Sequence, residues 1–305
     1  MSSDSPSLPA GRPTNPSVGR RVTGWLYRHP RLQLGGLLLL PGAWFTLVYF
    51  GSLALLLIAA LWHVTNGHLI RTIGLDNFVT LVNQPVYRTI VQRTLTTAVI
   101  VTIVDALIAF PIAYYMARVA SVRKRRLIYM AVLMPLWASY LVKIYAWRLI
   151  LFPNGVLDGA MTSIGLPDVA KVFGISDLSI TVTFIYLWLP YMILPIHAGL
   201  ERIPTSLLEA SGDLGGRGFV TFRRIVLPLV LPSLVAGSIF TFALTLGDYI
   251  NPQVTGNSQF IGTVIQNNVG VAANLPFAAA LATVPILIIA AYLLIARRLG
   301  AFDAL

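Results

Sequence analysis

"EASGDLGGRGFVTFRRIVLP", residues 209 to 228, interrupts a chain that is otherwise greasy. Its first sixteen residues hold two acids, three arginines and four glycines, and at Ile225 the sequence turns apolar again. Long apolar stretches flank it on both sides, so it reads as a water-facing loop between membrane helices. Composition agrees. Of 305 residues, 56% are hydrophobic and 11% charged, less than half the charge of an ordinary soluble domain. The formal net charge of +11 does not mark a nucleic-acid binder, because the basic residues fall in short clusters between apolar runs. No cysteine is present, which excludes disulfides and thiolate ligands.

Six candidate spans follow from hydropathy, at about 35–61, 94–117, 127–150, 178–200, 225–247 and 275–296. Each holds the twenty-odd residues that cross ~30 Å of hydrocarbon at ~1.5 Å per residue. Lys143 and Arg148 make the third the least regular. Every span carries a proline: Pro41, Pro111, Pro135, Pro190 with Pro195, Pro228 with Pro232, and Pro285. In a bundle, neighbours satisfy the freed carbonyls, and kinks open space between helices. The predicted fold is all-α, a polytopic six-helix membrane protein. Residues 1–31, rich in Ser, Pro, Gly and Arg, are expected to be a disordered tail that becomes interfacial near Trp25 and Tyr27. Residues 32–305 are expected to form a single domain. The thirty uncharged residues Leu32 to Leu61 are too long for a signal-peptide core and are expected to stay in the mature protein.

Orientation follows from the basic residues. The tail holds Arg12, Arg20, Arg21, Arg28 and Arg31, and the 118–126 loop holds Arg118, Arg123, Lys124, Arg125 and Arg126. Arg202, Arg217, Arg223, Arg224, Arg297 and Arg298 lie on the same side of the predicted topology. Only Arg71, Arg88, Arg93 and Lys171 lie on the other, sixteen against four. The positive-inside rule then places both termini and the 201–224 loop in the cytoplasm of a multi-pass cell-membrane protein.

Two readings of the opening segment compete. In the first, Ser206-Leu-Leu-Glu209 is a capping box on a short helix starting near Pro204, and the glycines are ordinary turn residues. In the second, spacing matters: Glu209-Ala210-Ser211, three residues, Gly215, nine residues, then Ile225-x-Leu227-Pro228. This resembles the EAA loop of the permease subunits of type I ABC importers, with Ser211 in place of the second alanine. The resemblance runs from about residue 35 to 298. "LMPLWASYLVKIYAWRLIL" (133–151), followed by "PNGVLD", looks like the third-span region of spermidine/putrescine-type permeases, and "TLGDYINPQVTG" (245–256) like the end of their fifth span.

The resemblance implies a non-enzymatic subunit without a cofactor, a type I permease fold and three kinds of protein partner. Two ATPase subunits would dock on the loop, a second permease, a related homologue, would complete the pathway, and an extracytoplasmic binding protein would deliver solute. Glu209, Ala210, Ser211, Gly215, Ile225, Leu227 and Pro228 would be the ATPase-coupling residues. A short helix with small residues can enter a partner's cleft, and Gly215 permits a sharp reversal.

Asp105 in mid-span and Asp248 at the outer end of the fifth span are pathway candidates, with Tyr145, Trp147 and Tyr249. Both acids also admit plain readings: Asp105 as the partner of Lys143 or simply as a protonated acid, and Asp248 as a loop acid. The aromatic residues, Trp188 included, stack on amines or belong to the interfacial belt. His197 reads as a polar helix-end residue. No P-loop, H-E-x-x-H pair or G-x-S-x-G elbow occurs, so neither ATP hydrolysis nor a metal or nucleophile site is expected. The solute is expected to be small and polar, foremost a polyamine. A secondary transporter of a small cation is the alternative, although it would have no use for such a loop. An intramembrane enzyme would need a catalytic constellation that four scattered histidines do not supply.

Overall fold

The computed structural model describes residues 30–65, 67–166, 172–174 and 176–298. The predicted tail and Lys171 fall outside that range, save for its last two residues, Pro30 and Arg31. The chain divides into two units, residues 1–56 and 57–305. The first holds helix α1 (Pro30–Phe45), a π turn, Thr46–Phe50, and the start of α2 (Gly51–Ala59), whose last three residues fall in the second. Pro41 lies inside α1, and Leu34–Ala59 is long and apolar enough to span a membrane.

After the end of α2, the second unit continues with a small antiparallel hairpin, β1 (His63–Thr65) and β2 (His68–Ile70), turned at Gly67. These are the only strands among the described residues, and the other regular elements are helices. After the short helix α3 (Asp76–Asn83), α4 (Pro85–Tyr114) begins with proline preset at its first position. It continues through a π turn, Tyr115–Val119, so the second span starts at Pro85 rather than near residue 94. The turn follows Pro111, whose missing N–H disturbs the i→i−4 ladder.

The third span differs most from expectation. It is not one continuous helix over 127–150 but two limbs, α5 (Val122–Trp137) and α6 (Tyr140–Leu151), bent by 100°. Ala138 and Ser139 at the break are extended, just past the proline-weakened last turn around Pro135. A further short helix, α7 (Val156–Ser163), continues the second limb.

The fourth span, α8 (Asp177–Glu201), keeps its predicted limits and packs against both α4 and the fifth span. Two short helices, α9 (Thr205–Asp213) and α10 (Gly218–Thr221), precede a π turn, Phe222–Val226, and α11 (Leu227–Gly247). That turn contains Arg224, the residue whose carbonyl Pro228 leaves unbonded. Two short helices, α12 (Ile250–Thr255) and α13 (Ile261–Gly270), lead to the last span, α14 (Leu275–Arg298). Among the described residues, five helices are thus long and apolar enough to cross a membrane, and the bent third pair makes six.

The core lies among α4, α8 and α11. Buried positions on α4 recur every three or four residues, from Ile90 through Ala98, Val101, Asp105 and Ala109 to Ala113, the stripe of a helix with one packed face. Gly199 and Gly237 let α8 and α11 come close. A Cβ on Gly199 would lie 2.6 Å from Ser233 Cβ, and one on Gly237 3.3 Å from Met192 Cα. Without a hydrophobic drive between helices in lipid, such close backbone packing supplies the contact energy.

Candidate functional site

The 204–224 segment folds as a helix–turn–helix. Pro204 is extended (φ −61°, ψ 137°) and α9 starts at Thr205, with no side chain capping it. Ser206 therefore sits inside the first turn, and the capping box does not form. The helix ends in a Schellman turn: Gly216 N–H donates to Ser211 C=O at 2.8 Å, and Gly215 N–H to Gly212 C=O at 2.9 Å. Gly215 has φ +76°, with open space where a Cβ would go, so its requirement is conformational rather than steric. Gly216 has the opposite constraint, because a Cβ there would lie 2.6 Å from Ser211 O.

Glu209 and Ala210 are exposed, as are Leu214 and Phe219. Ser211 is buried, and its hydroxyl meets Thr221 Oγ1 at 2.8 Å, tying α9 to α10. The one residue that departs from the EAA pattern is thus the one that braces the loop internally. Ile225 and Leu227 are half-buried at the start of the return, where Pro228 occupies the second position of α11.

The loop is rooted in the bundle. Leu208 and Phe222 pack on the cluster formed by Ala109, Met116, Ile196, Leu200 and Val230, and the Phe222 ring meets Phe110 edge-on at 5.4 Å. Two arginines counted as topology markers also cap helix ends here. Arg118 donates to Ile203 O at 2.7 Å. Arg125 donates to Met116 O at 2.8 Å and meets Glu201 at 3.3 Å. Orphan carbonyls at helix C-termini accept such bonds readily.

At the other end of the bundle, Asp248 terminates α11. Its Oδ1 accepts from the backbone N–H groups of Ile250 (2.7 Å) and Asn251 (3.3 Å), and its Oδ2 accepts from the Tyr140 hydroxyl. Burial pushes this carboxyl up to about 6, while the two backbone donors hold it down. A cavity of about 400 Å³ opens beside it, lined by Tyr140, Trp188, Leu244, Asp248 and Tyr249 among others. Tyr140 stacks on Trp188 at 5.8 Å with 16° between the rings, and Trp188 is buried, its Nε1 without a hydrogen-bond partner among the described residues. The Arg93–Asp177 pair (3.4 Å) ties α4 to the first residue of α8.

Of the sequence candidates, Asp248 and Tyr249 line this cavity, and Trp188 joins them from the core rather than from the interfacial belt. Tyr145 is exposed on α6, Trp147 packs on Tyr186 at 5.2 Å, and neither lines the cavity. Tyr140 lies in the quoted 133–151 stretch, but nothing in the local sequence ties it to Asp248, 108 positions away. Asp105 is fully buried, and neither of its carboxyl oxygens has a hydrogen-bond partner among the described residues. The pair with Lys143 weighed from sequence does not form. His197 is buried one turn before the end of α8.

A bundle of kinked spans with a braced helix–turn–helix at one end and a cavity beside the Asp248 carboxylate at the other has the layout of a membrane permease. The chain belongs to the family described as Binding-protein-dependent transport system inner membrane component, which matches residues 96–301. It is thus the multi-pass inner-membrane permease of an ATP-binding cassette importer, a transporter component rather than an enzyme. It is 46% identical over 307 residues to the inner membrane ABC transporter permease protein YdcU of Escherichia coli (strain K12), covering 96% of this chain and 97% of that one. The spermidine/putrescine transport system permease protein PotB of Haemophilus influenzae is 30% identical over 210 residues, 68% of this chain and 73% of its own. Among solved structures, a bacterial alginate ABC transporter in complex with an alginate pentasaccharide-bound periplasmic protein superposes with a TM-score of 0.74 over 93% of this chain and 98% of that one. At 18% identity that likeness establishes the type I permease fold alone.

Proposed function

We propose that this permease conducts a small cationic solute, foremost a polyamine such as spermidine or putrescine. The observation that carries the reading is the Asp248 cavity, where a half-buried carboxylate sits among the rings of Tyr140, Trp188 and Tyr249. A carboxylate takes an ammonium group by a charge-assisted hydrogen bond. Aromatic faces attract the same cation and cover its methylene chain. Similarity to a spermidine/putrescine permease supports the same assignment. Of the five sequence candidates, we assign Asp248 and Tyr249 to this outer station and add Tyr140 and Trp188.

In this reading the 201–224 loop faces the cytoplasm and docks on an ATPase, two of which serve the pair of permeases. Glu209 engages a basic or amide group of that partner, and Ala210 fits its cleft. Ser211 and Gly215 hold the loop's shape, and Ile225, Leu227 and Pro228 carry its movement into α11. A homologous second permease completes the conduit, an extracytoplasmic binding protein delivers solute, and both termini are cytoplasmic.

The test is uptake of labelled putrescine and spermidine by the complete reconstituted transporter. Uptake should require ATP and fall about tenfold or more in Asp248→Asn at equal protein level, the loss of one charge-assisted bond. Equal competence for an anion or a neutral sugar would overturn the assignment, as would an unchanged rate in Asp248→Asn.

A further inference from the structure

The 118–126 segment holds five basic residues, and two of them are built into the bundle. Arg123, Lys124 and Arg126 are exposed and make no hydrogen bond or ion pair among the described residues. They supply charge, which is all that membrane orientation asks of them. Arg118 and Arg125 are half-buried and held in place. Arg118 lies in the π turn that ends the second span, and its Nη2 donates both to Leu200 O at 2.5 Å and to Ile203 O at 2.7 Å. Arg125, on α5, donates from Nε to Met116 O at 2.8 Å, from Nη2 to Ala117 O at 3.2 Å and from Nη1 to Glu201 Oε1 at 3.3 Å. The rigid fork of a guanidinium reaches acceptors in divergent directions, which a single ammonium does not.

The two side chains tie the π turn, the start of α5 and the end of α8 into one joint. Ile203, the last residue before Pro204 leads into α9, is part of it. Met116, Leu200 and Ile203 also share a hydrophobic cluster with Val226 and Val230, and Leu208 of α9 packs on that cluster. The joint therefore sits where the 204–224 loop enters the bundle. Capping α8 would require Arg118 alone. Arg125 bonds instead to carbonyls of the second span and to Glu201, and so brings α5 into the same joint. From Arg125 to Trp137, α5 runs about 18 Å at ~1.5 Å per residue. Past the break at Ala138 and Ser139 comes Tyr140, the residue that bonds to Asp248. Helix α5 is thus a lever, with the joint at one end and the break beside the Asp248 cavity at the other.

We propose that Arg118 and Arg125 are positioning residues for transport, which make α5 and the adjoining ends of α4 and α8 move as one body with α9. Displacement of the 204–224 loop then reaches the third span as well as α11. The inference rests on the reading that this loop docks on an ATPase, and it is independent of which solute is carried. Covalently, the loop is joined to α8 and α11 alone. Without the two guanidiniums, movement of the loop would pass along those two helices and leave α5 behind. Coupling of this kind travels through contiguous contacts between rigid elements, and here the contacts are the bonds of two side chains.

Pulsed electron–electron double resonance on the complete purified transporter tests it, with nitroxides on cysteines introduced into this cysteine-free chain and with cysteine-free partner subunits. One pair joins Thr205→Cys on α9 to Leu127→Cys on α5, and a second joins Thr205→Cys to Gln253→Cys on α12; all three positions are exposed. Distances are measured without nucleotide and after trapping with ATP and vanadate. In the otherwise unaltered chain, trapping should shift the 205–253 distance and leave the 205–127 distance unchanged. The double variant Arg118→Met, Arg125→Met keeps Arg123, Lys124 and Arg126 to hold the orientation. Its nucleotide-free distances should be unchanged, because the cluster around Met116, Leu200 and Ile203 remains, but trapping should now shift both pairs. A 205–127 distance that shifts without the double variant, or that stays fixed with it, would overturn the proposal alone. A 205–127 distance already altered in the nucleotide-free variant would show that the arginines only hold the fold, and would also overturn it. No shift in the 205–253 distance of the unaltered chain would overturn the docking reading and this proposal with it.

Discussion

Asp248 shows how one residue's setting governs its use. Burial lifts its carboxyl to about 6, with the N–H groups of Ile250 and Asn251 resisting, so it is ionised above that pH and neutral below. Only the ionised form attracts a cation. Uptake of putrescine by proteoliposomes should therefore fall as the outer pH drops from about 7.5 to about 5.5, and Asp248→Asn should be both slower and flat across that range. Identical slopes for the two proteins would locate the titration elsewhere. Ser211 makes a second case. It departs from the EAA pattern, yet its hydroxyl reaches Thr221 at 2.8 Å. Thr221→Val should lower the thermal stability of the solubilised transporter by about 1 kcal/mol, the net worth of one such bond. The departure was visible in the sequence. Its partner, ten residues on, was not, because only the Schellman turn folds α10 back onto α9.

The coupling element is the part most open to a mutational decision. Gly215 needs a left-handed backbone but has empty space around it, so Gly215→Val adds strain of roughly 1–3 kcal/mol without a clash. Ala210→Trp leaves the isolated loop undisturbed, since Ala210 is exposed. Both variants should insert at normal levels yet lose ATPase co-purification and solute-stimulated hydrolysis. Normal transport per molecule from both would remove the docking assignment. Between the spans, Gly199→Val should overpack the α8–α11 contact at Ser233 by about 1–3 kcal/mol, read as a lower melting temperature of the purified complex. An unchanged melting temperature would mean that α8 and α11 can part at no cost. The spans themselves were largely legible, because length and hydropathy are local properties. The break at Ala138–Ser139 was not. Every span carries a proline, and whether one breaks or merely bends depends on what the next helix packs against.

For the whole molecule, the sixteen-to-four distribution of basic residues predicts an arrangement that reporters can read. Fusions after residues 65, 165 and 260 should report outside and those near 122 and 215 inside, and a reversed pattern would refute it. By itself the sequence determined the membrane class, the order and approximate limits of the spans, and the EAA-type loop with its Gly215. Each of these rests on residues near one another in the chain: apolar runs, charge clusters and a fixed spacing. Tertiary structure alone decided that Tyr140 and Trp188 meet Asp248, that Asp105 lies buried without Lys143, and that Arg118 and Arg125 cap helix ends. Those contacts join side chains from different spans. Which of them meet is set by how closely α4, α8 and α11 approach and by the 100° bend in the third span, and no local pattern in the chain encodes either.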